Sequence, residues 1–194
     1  AVGLAQGKKI KKDKNIVCVF LGDGAFGEGV LYECLNIISK YELPVFLVIE
    51  ENGIAQTTKT IDTISGSIEQ KCKSFDIDVK TLNYEDAYKI YDLSSKLIKK
   101  VKRNKPQILI LKSTRLGPHS KGDDTRSDKE ISYLKSKDPI LKLSKKIKTQ
   151  DREKFKKDAS NFINNLFEKC LKEDRKHNLE NSKIENSHNI KEVL

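Results

Sequence analysis

The stretch Gly22-Asp23-Gly24-Ala25-Phe26-Gly27-Glu28-Gly29 sets one carboxylate among glycines, directly after the apolar run Ile16 to Leu21 and before residues at helical spacing. Backbone N–H groups at such a helix start attract phosphate, so a diphosphate is the first ligand it suggests. Two phosphate chemistries compete. Gly22-x-Gly24-x-x-Gly27 matches the dinucleotide fingerprint, and Glu50 closes the next apolar run about where an acid for a ribose belongs. Asp23 argues against that assignment, because a carboxylate between phosphate-facing glycines repels a pyrophosphate unless a cation lies between them. Magnesium takes oxygen ligands in a nearly octahedral shell and commonly joins carboxylates to phosphates. Asn52 supplies an uncharged oxygen from the neighbouring strand end. The pair reads as a metal-diphosphate clamp; the plainer alternative is an aspartate satisfied by turn amides and an asparagine that forms a turn ahead of Gly53.

These residues resemble a known family. Gly22-Asp23-Gly24, followed after 27 intervening residues by Asn52, is similar to the thiamine diphosphate motif of the 2-oxo acid dehydrogenases, in the alpha subunit of their decarboxylating first component. Pyruvate, branched-chain 2-oxo acid and acetoin dehydrogenases are of this type. Tyr32-Glu33, Leu43-Pro44, the block Glu51 to Thr58, Arg115-Leu116-Gly117-Pro118-His119-Ser120 and Asp138-Pro139-Ile140 follow in the family's order, and the resemblance covers residues 1 to about 170.

The resemblance implies that Asp23, Asn52 and the main-chain carbonyl of Ile54 hold Mg2+, and that the amides of Gly24 and Ala25 meet the diphosphate. It makes His119 the active-site histidine, able to donate to a phosphate, orient a reacting group or pass a proton; a plain surface histidine is the alternative. Arg115 would steady the loop or meet an anion, and Ser120 occupies a position that certain eukaryotic relatives phosphorylate, with loop capping the simpler role. The family often has Asn where Gly27 and Glu51 stand and an aromatic where Ile54 stands. A carbonyl ligand does not depend on its side chain, so the last departure matters little.

The activity implied is decarboxylation of a 2-oxo acid on thiamine diphosphate, with the acyl group passed to a lipoyl arm. The implied partners are a beta subunit, separate or fused, and a lipoyl-bearing acyltransferase, in an alpha2beta2-type assembly. The glutamate that activates the cofactor would belong to the beta subunit, so this chain alone would be inactive. Alternatives are a transketolase-like thiamine enzyme and a basic nucleotide- or RNA-binding module.

The chain has 194 residues, enough for one real core. It starts with Ala1 and has no methionine, which reads as a fragment; by the resemblance, Ala1 to Gln6 is the tail of a helix that follows a missing N-terminal region. The net charge of +10 invites nucleic acid, but the lysines are mixed with acids and lack an aromatic-studded stripe, so a solvated surface is expected. Cys18, Cys34, Cys72 and Cys170 have no zinc or redox spacing and read as buried free thiols. No apolar run is long enough to span a membrane. A reducing, cytoplasmic-type compartment is expected, with an organellar address left open by the N-terminus.

Positioning these residues requires an α/β fold: a mainly parallel sheet with helices on both faces, of the thiamine diphosphate-binding kind, plus a C-terminal helical extension. Ile16 to Leu21, Val45 to Ile49, Ile77 to Leu82 and Gln107 to Lys112 read as strands, the first buried on both faces. Val30 to Tyr41, 67–75 and Tyr84 to Arg103 read as helices, the last capped by Asn83 with Ala87, Ile90, Tyr91, Ser94, Leu97, Ile98 and Val101 inward. Thr114 to Ser127 is a long polar loop, in which Asp123, Asp124 and Arg126 pair to give order, a second metal site being the alternative. Two helical stretches follow Asp138. The expected divisions are 1–147, the cofactor-binding domain; 148–175, the helical extension; and 176–194, a polar tail or linker that restarts a helix at Asn189 and continues into a fused beta subunit.

Overall fold

The computed structural model describes residues 1–172 apart from 85, 121 and 123. The chain divides into two compact units, Ala1–Lys146 and Ile147–Leu194. The expected tail, its restarted helix and Asp123 lie outside the described residues.

In the first unit, α1 (Val2–Ile10) precedes strand β1 (Val17–Gly22), a 3-10 turn (Asp23–Gly27), α2 (Gly29–Lys40) and β2 (Val45–Glu51). A small hairpin of β3 (Ile54–Ala55) and β4 (Thr58–Lys59) follows, then α3 (Thr60–Thr63), α4 (Ile68–Lys73), β5 (Asp78–Asn83), α5 (Ala87–Val101), β6 (Gln107–Lys112), α6 (Asp128–Ser136) and α7 (Pro139–Ser144). The second unit holds α8 (Thr149–Lys172).

The main sheet runs β1-β2-β6-β5, with every pairing parallel. Leu21 lies opposite Ile49, and Ile49 opposite Ile110. Successive strand side chains point to opposite faces, and β2 divides accordingly. Val45, Leu47 and Ile49 join a cluster with Leu31, Leu35 and Ile38 of α2, while Phe46 and Val48 join one with Leu97 and Val101 of α5. A fully buried leucine such as Leu35 contributes about 1.5–3 kcal/mol relative to exposure.

The chain steps from β1 to β2 in one direction across the sheet and from β5 to β6 in the other. Both crossovers being right-handed, their helices fall on opposite faces, as the two clusters show. The direction reverses between β2 and β6. In open parallel sheets that crevice, at the carboxyl ends of the strands, is where ligands bind.

Three local expectations need correction. The first strand is not buried on both faces: β1 is the edge of the sheet, so Cys18 and Phe20 are exposed, Phe20 by 67%. The long helix begins at Ala87, not Tyr84, and is capped by Asp86, whose carboxylate accepts from the N–H groups of Tyr88 (3.1 Å) and Lys89 (3.2 Å). Such a cap is worth about 1 kcal/mol; Asn83 instead ends β5. Ala87 and Tyr91 are exposed, while Ile90, Leu93 and Ile98 pack against the cluster in which Leu97 and Val101 are buried. Of the thiols, Cys72 is buried and Cys34 half-buried, while Cys18 and Cys170 are exposed. Burial pushes the Cys72 thiol up to about 12, which keeps it protonated and inert.

Candidate functional site

The glycine-rich stretch does not open a helix directly, as its pattern suggests. It forms a 3-10 turn, and α2 starts only at Gly29, two residues past the last glycine of the dinucleotide fingerprint. Two anchors cause this. Phe26, 2% exposed, is driven into the core beside α2, and Tyr32 stacks edge-on to it (6.3 Å between centroids) while its hydroxyl donates to the Phe26 carbonyl at 2.7 Å. On the opposite side of the turn, Asp23 is pulled inward to 1% exposure.

Asp23 is the one buried carboxylate among the described residues. Its Oδ2 accepts from the Gly53 N–H at 2.6 Å and from the Thr60 hydroxyl at 2.9 Å. Both donors are neutral, and among the described residues no cationic side chain pairs with Asp23. Burying a carboxylate without a counter-charge is costly, so the turn has room in its electrostatics for a cation.

Asn52 follows β2, and its Oδ1 accepts from the Ile54 N–H at 3.0 Å, a local turn that sets the entry to the hairpin. Gly53 has φ +80, a left-handed conformation costly for a side chain, and so turns its N–H toward Asp23. Gly24 lies so close to the hairpin that an added Cβ would fall 2.7 Å from the Ala55 Cβ. The glycine turn and the Asn52 hairpin are therefore one packed unit, although about thirty residues separate them along the chain.

The loop after β6 joins this unit through Arg115, whose NH1 donates to the Gln56 carbonyl at 2.8 Å while its buried Nε has no hydrogen-bond partner among the described residues. Arg126 in turn holds the loop: NH1 donates to the Arg115 carbonyl (2.7 Å), NH2 to the Gly117 carbonyl (2.9 Å), and Nε and NH2 grip the Asp124 carboxylate at 2.8 Å each. The Arg126 guanidinium holds the Asp124 carboxyl down at about 2. At the crevice between β2 and β6 a cavity of about 540 Å³ opens, lined by Glu50, Asn52, Lys112, Ser113, Thr114 and Arg115 among others. Asp138-Pro139-Ile140 reaches its rim as a helix start: the Asp138 carboxylate caps the Ile140 N–H at 2.8 Å, with proline in the first turn.

Of the residues singled out in the sequence, the fold thus brings Asp23, Gly24, Asn52 and Ile54 together. Ala25 is in the same turn, packed against the main core. His119 is exposed on the loop, two residues beyond the Gly117 carbonyl that Arg126 holds. The sequence reading missed Thr60 as a partner of Asp23. It lies 37 residues away, and only the hairpin's return brings it back.

The family model described as "Dehydrogenase E1 component" matches residues 1–178, and the chain belongs to that family. Three relatives similar to it are each named an alpha subunit. Pyruvate dehydrogenase E1 component subunit alpha of Rickettsia bellii is 35% identical over 147 residues, 74% of this chain and 45% of the relative. The mitochondrial 2-oxoisovalerate dehydrogenase subunit alpha of Caenorhabditis elegans is 30% identical over 153 residues, 76% and 36% respectively. The alpha subunit of an acetoin:2,6-dichlorophenolindophenol oxidoreductase of Bacillus subtilis is 28% identical over 145 residues, 72% and 44%. The chain therefore spans less than half the length of these curated relatives. Among solved structures, a protein from Mycobacterium smegmatis described as a thiamin diphosphate-dependent enzyme aligns with TM-score 0.44 at 17% identity, over 58% of this chain and 20% of that one. No helix among the described residues is long and apolar enough to cross a membrane.

Proposed function

We propose that this chain is the diphosphate-side portion of a thiamine diphosphate-dependent 2-oxo acid dehydrogenase alpha subunit. The observation that carries the reading is the buried Asp23 carboxylate, paired with no cationic side chain among the described residues and locked to the hairpin that presents Asn52. In it, Asp23, the Asn52 amide oxygen and the Ile54 carbonyl hold Mg2+, and the Gly24 and Ala25 amides face the diphosphate. Gly24 suits this role because any side chain there would strike Ala55. The cofactor supplies the chemistry of decarboxylation when bound. The chain's own residues hold it, keep its charge neutralised through the cation and, with Arg115 and His119 on the loop after β6, meet anionic groups from the other side of the crevice. His119, exposed and imidazole-bearing, can donate a proton or orient a reacting group.

On this reading residues 1–147 form the cofactor-binding domain, and α8 belongs to the extension expected over 148–175. The partners are a beta subunit and a lipoyl-bearing acyltransferase, in an alpha2beta2-type assembly working in a cytoplasmic-type compartment. The dinucleotide rival loses ground because the fingerprint glycines form a 3-10 turn and leave the helix to begin later.

Titration calorimetry on the complete alpha-beta assembly tests the proposal. Thiamine diphosphate should bind in the presence of Mg2+, lose most of its affinity in chelator, and bind poorly to Asp23→Ala. Tight cation-independent binding of NAD instead would return the site to the dinucleotide class.

A further inference from the structure

Two donors meet on a single oxygen of Asp23, and they come from the two ends of the hairpin. The oxygens of a carboxylate are equivalent until the surroundings distinguish them. Here Gly53 N–H and Thr60 Oγ1–H both occupy Oδ2, which fixes the carboxylate plane and leaves Oδ1, which accepts no hydrogen bond among the described residues, for another partner. Because each donor is neutral, the pair orients the charge without cancelling it. We propose that Thr60 is a positioning residue for a divalent cation: its hydroxyl sets the rotation of the Asp23 carboxylate so that Oδ1 faces the ion. This rests on the reading of Asp23 as a metal ligand.

The hydroxyl is not needed to build the hairpin. The main chain at residue 60 is already secured, its N–H donating to the Gly53 carbonyl at 3.0 Å and its carbonyl accepting from the Ile64 N–H at 2.9 Å. The Thr60 side chain therefore has one bond of consequence to another element, the 2.9 Å bond to Asp23. Threonine suits the task because β-branching restricts its χ1, which holds the hydroxyl on Asp23 at less entropic cost than a freely rotating serine.

The experiment uses the complete alpha-beta assembly with wild-type, Thr60→Val, Thr60→Ser, Asp23→Asn and the Asp23→Asn/Thr60→Val pair. Mn2+ binding in the presence of thiamine diphosphate is followed by electron paramagnetic resonance, Mg2+-dependent cofactor affinity by calorimetry, and the unfolding midpoint on the same samples. Thr60→Val keeps the shape and should weaken cation affinity about tenfold, the range in which the residues that orient metal ligands act, with the midpoint nearly unchanged. Thr60→Ser should recover most of that loss, and the double variant should bind no worse than Asp23→Asn alone, because both changes strike one interaction. Should Thr60→Val not fold, Thr60→Ala replaces it in the same comparison. Wild-type cation affinity in the folded Thr60 variants, while Asp23→Asn loses it, would overturn the positioning role and leave the metal site standing. Retained affinity in Asp23→Asn would overturn the metal reading itself, and Thr60's role with it.

Discussion

The Asp23 turn is fastened from several sides: Phe26 sits in the core, Tyr32 clamps its carbonyl, and Gly53 and Thr60 grip the carboxylate. Among the described residues the loop after β6 is held by guanidinium groups: that of Arg126 spans the Arg115 and Gly117 carbonyls and Asp124, and that of Arg115 reaches the Gln56 carbonyl. The first region is built by burial. The second is built by charge-assisted hydrogen bonds over a polar segment with no core of its own. The turn is thus the floor of the candidate site and the loop its wall.

That contrast can be broken most directly at Asp23. Asp23→Ala should weaken Mg2+-dependent thiamine diphosphate binding about a hundredfold, roughly 2.7 kcal/mol, while circular dichroism keeps its shape and denaturant titration shows a loss of about 1–3 kcal/mol for the Gly53 N–H and Thr60 hydroxyl left unpaired; unchanged affinity would deny the turn its role as floor. Gly24→Ala attacks the same region through packing. With a Cβ forced to 2.7 Å from the Ala55 Cβ, it should cost about 1–3 kcal/mol in denaturant titration, and Ala55→Gly should relieve part of it. A Gly24→Ala protein as stable as wild type would mean that the turn and hairpin are not tightly joined.

The loop should respond differently. Arg126→Ala should raise the rate of proteolytic cleavage within residues 114–127 about tenfold and leave the midpoint of the sheet unchanged. The pH dependence sharpens the point. Because the Asp124 carboxyl is held down, its contribution to loop order is complete above the ordinary carboxylate value near 3.8 and is lost as pH falls through about 2. A carboxyl carbon titration by NMR should therefore show a midpoint near 2 in the wild type and close to 3.8 in Arg126→Ala; an unmoved midpoint would remove Arg126 as its cause. The smallest stability change belongs to His119→Ala, expected within about 0.5 kcal/mol for an exposed loop residue, with slower acyl transfer in the reconstituted assembly as its signature.

Much of this was legible in the chain itself. The apolar runs of β2 and β6 announce strands, and the run from Val30 to Tyr41 announces α2. Ile49, Ile108 and Leu109 are indeed at 0 to 1% exposure. The same signal misled at β1, whose sequence is equally apolar, because hydrophobicity does not say whether a strand is central or at an edge. Asn83 was a reasonable cap by type, but Asp86 lies nearer the true start of α5 and offers its carboxylate to two amides. The Asp124 and Arg126 pair was visible because it is local, two residues apart.

The sequence by itself determined the residue types of the site and their order: a lone carboxylate among glycines, an amide oxygen after the next strand, and a basic, histidine-bearing loop after the last. Those follow from local chemistry, since phosphate needs amides, a cation needs oxygens, and each type is written in the chain. Tertiary structure alone decided that Asp23 is buried, that Thr60 and Gly53 share its one oxygen, and that Arg115 reaches the hairpin at Gln56. These contacts join residues 30, 37 and 59 positions apart. No periodicity or local propensity encodes such pairs; they exist because opposed right-handed crossovers bring the ends of β1, β2 and β6 to one side of the same sheet.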